Sequence, residues 1–150
     1  MGTRILDLAG AAGITSPLEV NMKSHELALR VYLEDTDAQG VVYHANYLKF
    51  FERGRDELLR AQNLNMGSMG IGENLFVVHE MNIKYLQAAR LGDTLIVQTI
   101  FQRSSDYRLS FDQQVRRKGA DDILVKADVQ VVCVDRDGEL TELPTDLFLE

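Results

Sequence analysis

The segment Asp35-Thr-Asp-Ala-Gln-Gly-Val-Val-Tyr-His44 holds residue types and a spacing from which carbonyl chemistry can be built. Asp37 stands in a polar turn three residues ahead of Gly40, and an aromatic, amphipathic stretch begins just after it. A carboxylate aimed at a helix N-terminus supplies a nucleophile or a base, while the helix amides polarise a carbonyl oxygen. Asp35 is the competing carboxylate. The bland alternative for either is an aspartate that only shapes the turn.

The elements that must position these residues are legible from periodicity. Leu27, Leu29, Val31 and Leu33 alternate with Glu26, Ala28, Arg30 and Tyr32, which predicts a strand from about His25. Tyr47, Phe50, Phe51, Gly54, Leu58 and Ala61 recur at intervals of three and four. That stripe predicts a helix to about Asn63. Gly54 inside it costs about 1 kcal/mol relative to alanine, so a close approach to a sheet is expected there. Asn63 to Asn74 reads as a glycine-rich loop, with a short helical turn around Met66 to Gly70.

Four further runs read as strands: Val77 to Tyr85, Leu95 to Phe101, Tyr107 to Val115 and Ile123 to Cys133. Turn signals separate them at Leu91-Gly-Asp93 and Arg117 to Asp122, and Asp135-Arg-Asp-Gly138 follows the last. Strand, long helix, then four strands with short links predict an α+β domain with one antiparallel sheet. One helix covers only one face of five strands, so a homodimer is expected to cover the other face or an edge.

Composition sets the outer limits. A length of 150 residues fits one domain, with 1–22 read as an extension and 23–150 as the domain. No apolar run approaches the roughly 20 residues of a membrane span, and the N-terminus lacks the character of a signal peptide. A cytoplasmic location is the resulting expectation. A net charge of −7 argues against general nucleic-acid binding. The single cysteine, Cys133, excludes an internal disulfide and a cysteine-built metal site, and reads as a buried thiol. Three scattered histidines give no metal-ligand spacing. His79 shares the apolar parity of Val77 and Met81 and reads as a core histidine, whereas His25 reads as exposed.

The stretch Tyr32-Leu-Glu-Asp-Thr-Asp-Ala-Gln-Gly-Val-Val-Tyr-His-Ala-Asn-Tyr-Leu-Lys-Phe-Phe-Glu52 resembles the signature of hotdog-fold acyl-CoA thioesterases, in particular the 4-hydroxybenzoyl-CoA thioesterase and Tol-Pal-associated (YbgC-like) branch. Phe76 to Tyr85, Ala88 to Asp93 and Val129 to Asp135 agree, so the similarity runs over about residues 25 to 145. It implies a five-stranded sheet wrapped around the long helix, and a homodimer or homotetramer. It implies that Asp37 is the catalytic carboxylate, as nucleophile or general base, and that the His44 N–H lies at the oxyanion position. Gly40, Tyr43, Tyr47 and Glu52 become substrate-binding candidates, with packing the better reading of Tyr47 and the acyl end of the site the place of Glu52.

The same resemblance points to the turn Arg103-Ser-Ser-Asp-Tyr-Arg108 for coenzyme A phosphates. Some relatives carry basic residues inside that turn; this chain has them only at its ends, at Arg103 and Arg108. That departure fits looser coenzyme A binding, or a carrier-protein thioester whose phosphopantetheine lacks the nucleotide. No cofactor is expected beyond coenzyme A as part of the substrate. Two other classes stand beside the thioesterase: a hotdog dehydratase, and a non-catalytic scaffold for acyl carrier protein or envelope partners.

Overall fold

The structure, a computed structural model, describes residues 23–62 and 75–144. The predicted extension 1–22, the loop and helical turn of residues 63–74, and the last six residues lie outside them. The described elements are β1 (Lys23–Arg30), a 3-10 turn (Leu33–Asp35), α1 (Asn46–Ala61), β2 (Leu75–Tyr85), β3 (Thr94–Arg103), β4 (Arg108–Arg117) and β5 (Ile123–Val134). The strands form one antiparallel sheet in the order β1-β3-β4-β5-β2.

The expected alternation is realised on the face that meets α1. Leu95, Val97, Thr99 and Phe101 of β3 are buried there, as are Leu109, Phe111, Gln113 and Val115 of β4 and the odd-numbered residues from Val125 to Cys133 of β5. Tyr47, Phe50, Phe51, Leu58 and Leu59 fill the space from the helix side. Each such apolar side chain contributes roughly 1.5–3 kcal/mol by leaving water. Ala61, counted in the stripe, is exposed at the last turn of α1.

Two polar residues interrupt this apolar layer, and each has a partner. Thr99 and Gln113 face each other across β3 and β4. Gln113 Nε2 donates to Thr99 Oγ1 at 2.8 Å and to the Phe51 carbonyl at 2.9 Å. Its Oε1 accepts from Arg55 at 3.0 Å. Both amide hydrogens and the carbonyl are therefore used, which satisfies a group that is costly to bury unpaired. The network ties the helix backbone to the centre of the sheet. It works only because α1 lies close: a Cβ on Gly54 would sit 2.7 Å from Thr99 Oγ1 and 2.9 Å from Val97 Cγ1.

β2 departs from the alternation read in the sequence. Its pairing with β5 shifts register between Val78 and Glu80, leaving His79 as an inserted residue. Such a bulge reverses which residues face inward on its two sides. Phe76 and Val78 oppose Cys133 and Val131 ahead of it, and Met81 and Ile83 oppose Val129 and Ala127 after it. His79 is consequently exposed and is not a core residue. His25, expected to be exposed, is half-buried on the inner face of β1, with Nδ1 buried and unpartnered among the described residues. The backbone of α1 lies nearest β1 and β3, and two separate hollows open along the seam between α1 and β2.

Candidate active site

The loop from Val31 to Ala45 is built by hydrogen bonds that give its two aspartates different surroundings. Asp35 is buried at 7% exposure. Its Oδ2 accepts from the Tyr32 N–H at 2.8 Å and its Oδ1 from Asn46 Nδ2 at 2.9 Å, while its carbonyl accepts from the Tyr43 N–H. One carboxylate oxygen thus ties the loop to the first residue of α1 and the other to the loop's own start at Tyr32. Asp35→Asn puts an amide N–H against one of these donors, and we expect a loss of about 1–3 kcal/mol in denaturant unfolding.

Asp37 opens a tight hairpin. Its N–H donates to Val41 O and its carbonyl accepts from the Gly40 N–H, both at 3.0 Å, with Thr36 bridged to Val42. Gly40 has φ +77, and a Cβ there would meet nothing within 4 Å. That positive φ is a backbone conformation that favours glycine. Asp37 Oδ1 accepts from the Gln39 N–H at 2.8 Å. Among the described residues nothing else reaches the carboxylate, and the side chain is half-exposed.

The return arm of the hairpin leads through Tyr43 and His44 into α1, which starts with no side-chain cap. A helix start leaves backbone N–H groups without intrahelical acceptors, and the macrodipole makes that end favourable for an anion. Among the described residues none accepts from the His44 N–H. The His44 carbonyl accepts from Tyr85 Oη at 2.9 Å, which ties the end of β2 to the start of the helix. The His44 ring lies 4.5 Å from that of Tyr43 and 6.3 Å from that of Tyr85.

A hollow of about 280 Å³ opens beside His44, walled by Val42, Tyr47, Tyr85 and the segment 86–88. Asp37 is not one of its walls. Tyr47 is 2% exposed, accepts from the Ala89 N–H through Oη, and packs edge-on against Phe50 and Tyr85. Burial raises its phenol above the ordinary value. Tyr47 thus packs as expected and also lines the hollow. Tyr43 is exposed beside His44.

Glu52 lies farther along α1, on a second and larger hollow. Arg103 and Arg108 flank the β3–β4 turn, at the end of β3 that pairs with the start of β1, whereas Asp37 follows the end of β1. The length of β3 separates them, about 30 Å at ~3.3 Å per residue. Within one chain these arginines and Asp37 are not brought together. Arg103 is also engaged locally, donating to the Ser105 and Pro144 carbonyls and lying 3.5 Å from Asp106. Sequence reading did not single out Tyr85, whose contact with His44 spans 41 positions. Its only local signal is an aromatic at the end of a strand run. Among the described residues no group of potential metal ligands is gathered, and no helix is long and apolar enough to cross a membrane.

Comparison with known proteins places this geometry in a family. The model of the thioesterase-like superfamily matches residues 31–148. The acyl-CoA thioesterase YbgC of Haemophilus influenzae is 45% identical over 108 residues, covering 71% of this chain and 78% of that protein. The acyl-CoA thioester hydrolase YbgC of Escherichia coli is 42% identical over 107 residues, covering 71% and 79%. A crystal structure of a probable thioesterase from Bartonella henselae superposes with a TM-score of 0.75 at 35% identity, covering 81% of this chain and 99% of that one. With its five-stranded sheet folded over one long helix, the chain belongs to the thioesterase-like superfamily and is a hotdog-fold thioesterase.

Proposed function

We propose that this enzyme hydrolyses acyl-CoA thioesters, with Asp37 as the reacting carboxylate and the His44 N–H as the oxyanion donor. The observation that carries the assignment is the contrast between the two aspartates. Asp35 has both oxygens bound inside the fold, whereas Asp37 is held by one amide of its own turn. In the general-base route, Asp37 takes a proton from water as the water oxygen adds to the thioester carbonyl. In the nucleophilic route, the carboxylate adds directly and water then cleaves the anhydride. Either way the negative oxygen forms beside the His44 N–H and the uncapped start of α1, and collapse expels the thiolate of coenzyme A.

The acyl-CoA substrate of the YbgC relatives supports this choice over a dehydratase or a scaffold. The open position of Asp37 and the edge strand β2, unpaired on its outer side among the described residues and with Val77, Val78 and Tyr85 exposed, fit completion of the site by a second copy of the chain. In this reading a nucleotide contact from Arg103 or Arg108 comes from another subunit. We expect thiol release from acyl-CoAs, measured with a chromogenic disulfide across short, long and aromatic acyl groups. The reading fails if no coenzyme A or carrier-protein thioester is cleaved.

A further inference from the structure

Arg55 is a charged side chain in a place where charge is costly. It is 8% exposed, its guanidinium carbon lies 5.9 Å from the centre of the Phe111 ring, and its polar partner is the neutral Gln113 amide. Among the described residues no carboxylate lies within ion-pairing distance of it. Burial lowers its pKa from the ordinary guanidinium value, with Glu52 acting in the opposite direction. A guanidinium stays protonated through such a shift. Among the described residues this buried cation has no carboxylate in direct contact, with Glu52 acting only at longer range, which is unfavourable unless something supplies the anion.

That cation lines the larger hollow between α1 and β2, about 560 Å³, a volume within the usual range for small-ligand sites. Its apolar walls are Phe76, Val78 and Val131. The charges around it favour an anion. Lys49 and Arg53 stand with Arg55, against Glu52 and Asp56, and Asp56 is already bound to Arg60 at 2.9 Å. Both hollows have α1 as one wall and β2 as another: Tyr47 and Tyr85 at the His44 end, and Arg55 and Val78 at the other. From Asn46 to Arg55 the helix advances about 14 Å at ~1.5 Å per residue. An extended acyl chain of roughly ten carbons advances about 12 Å at ~1.3 Å per bond, close to that distance.

We propose that the seam takes the acyl chain of the thioester with its far end in the larger hollow, and that Arg55 recognises a carboxylate at that end. The enzyme would then favour ω-carboxyacyl thioesters over plain acyl chains of equal length. Apolar walls suit the methylenes, and the planar fork of Arg55 suits a carboxylate. The proposal rests on the thioesterase reading of Asp37 and His44.

The test compares decanoyl-CoA with the mono-CoA thioester of decanedioic acid. For the unsubstituted enzyme we expect kcat/KM about tenfold higher for the carboxylate-ended substrate, carried by KM. Arg55→Met should bring that ratio to one or below, Arg55→Lys should keep part of it, and Glu52→Gln should raise it by removing the neighbouring anion. Thermal melts establish that each variant is folded. A ratio at or below one for the unsubstituted enzyme overturns the proposal, and so does a ratio unmoved by Arg55→Met, since a purely structural role depresses both substrates alike. If neither thioester is cleaved, the thioesterase reading fails. Calorimetric titration with free decanedioate and decanoate then decides Arg55 alone. Tighter binding of decanedioate that is lost in Arg55→Met supports the proposal, and equal binding overturns it.

Discussion

Asp37→Asn should leave a folded protein that releases thiol from acyl-CoA about 10²–10⁴-fold more slowly, the range expected when a general base is removed. The local hydrogen bonding explains why the fold should survive. Among the described residues the Asp37 carboxylate accepts only from the Gln39 N–H, and an asparagine Oδ1 accepts that bond equally well. The hairpin itself is closed by the backbone, through Asp37 N–H to Val41 and Gly40 N–H to Asp37 O. What the substitution removes is the negative charge and its basicity. Asp35→Asn provides the reciprocal control, because both oxygens of Asp35 accept from donors that an amide nitrogen cannot serve. The assignment requires Asp37→Asn to lose turnover at unchanged unfolding midpoint and Asp35→Asn to lose stability. Exchange of the two phenotypes would move the reacting carboxylate to Asp35. Single-turnover hydrolysis in ¹⁸O-water tests the nucleophilic route: label in Asp37 requires an anhydride opened at the Asp37 carbonyl, whereas label only in the acid product fits both a base acting on water and an anhydride opened at the substrate carbonyl.

How far the sequence foretold this arrangement depends on the range of the interaction concerned. The runs Leu95 to Phe101 and Ile123 to Cys133 were legible because a buried face writes itself into the chain with period two. The helix was legible for the same reason at period 3.6, and Gly54 announced a close approach to the sheet. A bulge at His79 was not legible. One inserted residue changes no local composition, and only the pairing of β2 with β5 shows it. Strand order was not legible either. The connection from β2 to β3 spans Leu86 to Asp93, which reads as an ordinary link between neighbours, yet β2 lies at the far edge beyond β5. Eight residues reach about 26 Å at ~3.3 Å each, enough to cross the ~14 Å of three strand spacings. At the site, the turn around Asp37 and Gly40 was local and could be read. The capture of Asp35 by Asn46, the bond from Tyr85 to His44 and the burial of Arg55 are tertiary, and residue type alone would place Arg55 on the solvent face.

Gly54→Ala should destabilise the protein by about 1–3 kcal/mol, the usual cost of forcing a methyl group into a filled core. Helix propensity taken alone gives the opposite sign, since alanine is favoured over glycine inside a helix by about 1 kcal/mol. The contacts decide between them. The new methyl would lie 2.7 Å from Thr99 Oγ1, 2.9 Å from Val97 Cγ1 and 3.1 Å from Gln113 Nε2. None of the three can withdraw easily, because all are fully buried, and Thr99 and Gln113 are bonded to each other. Relief requires α1 to rise from the sheet. That movement stretches the Gln113 bonds to the Phe51 carbonyl and to Arg55 together, so the penalty extends beyond one overlap. Denaturant unfolding of Gly54→Ala, Val97→Ala and the double variant measures this directly. Removing the Val97 branch relieves one of the clashes, so the double variant should be more stable than the sum of the two single losses. A gain in stability for Gly54→Ala would mean that the helix does not sit at this depth on the sheet.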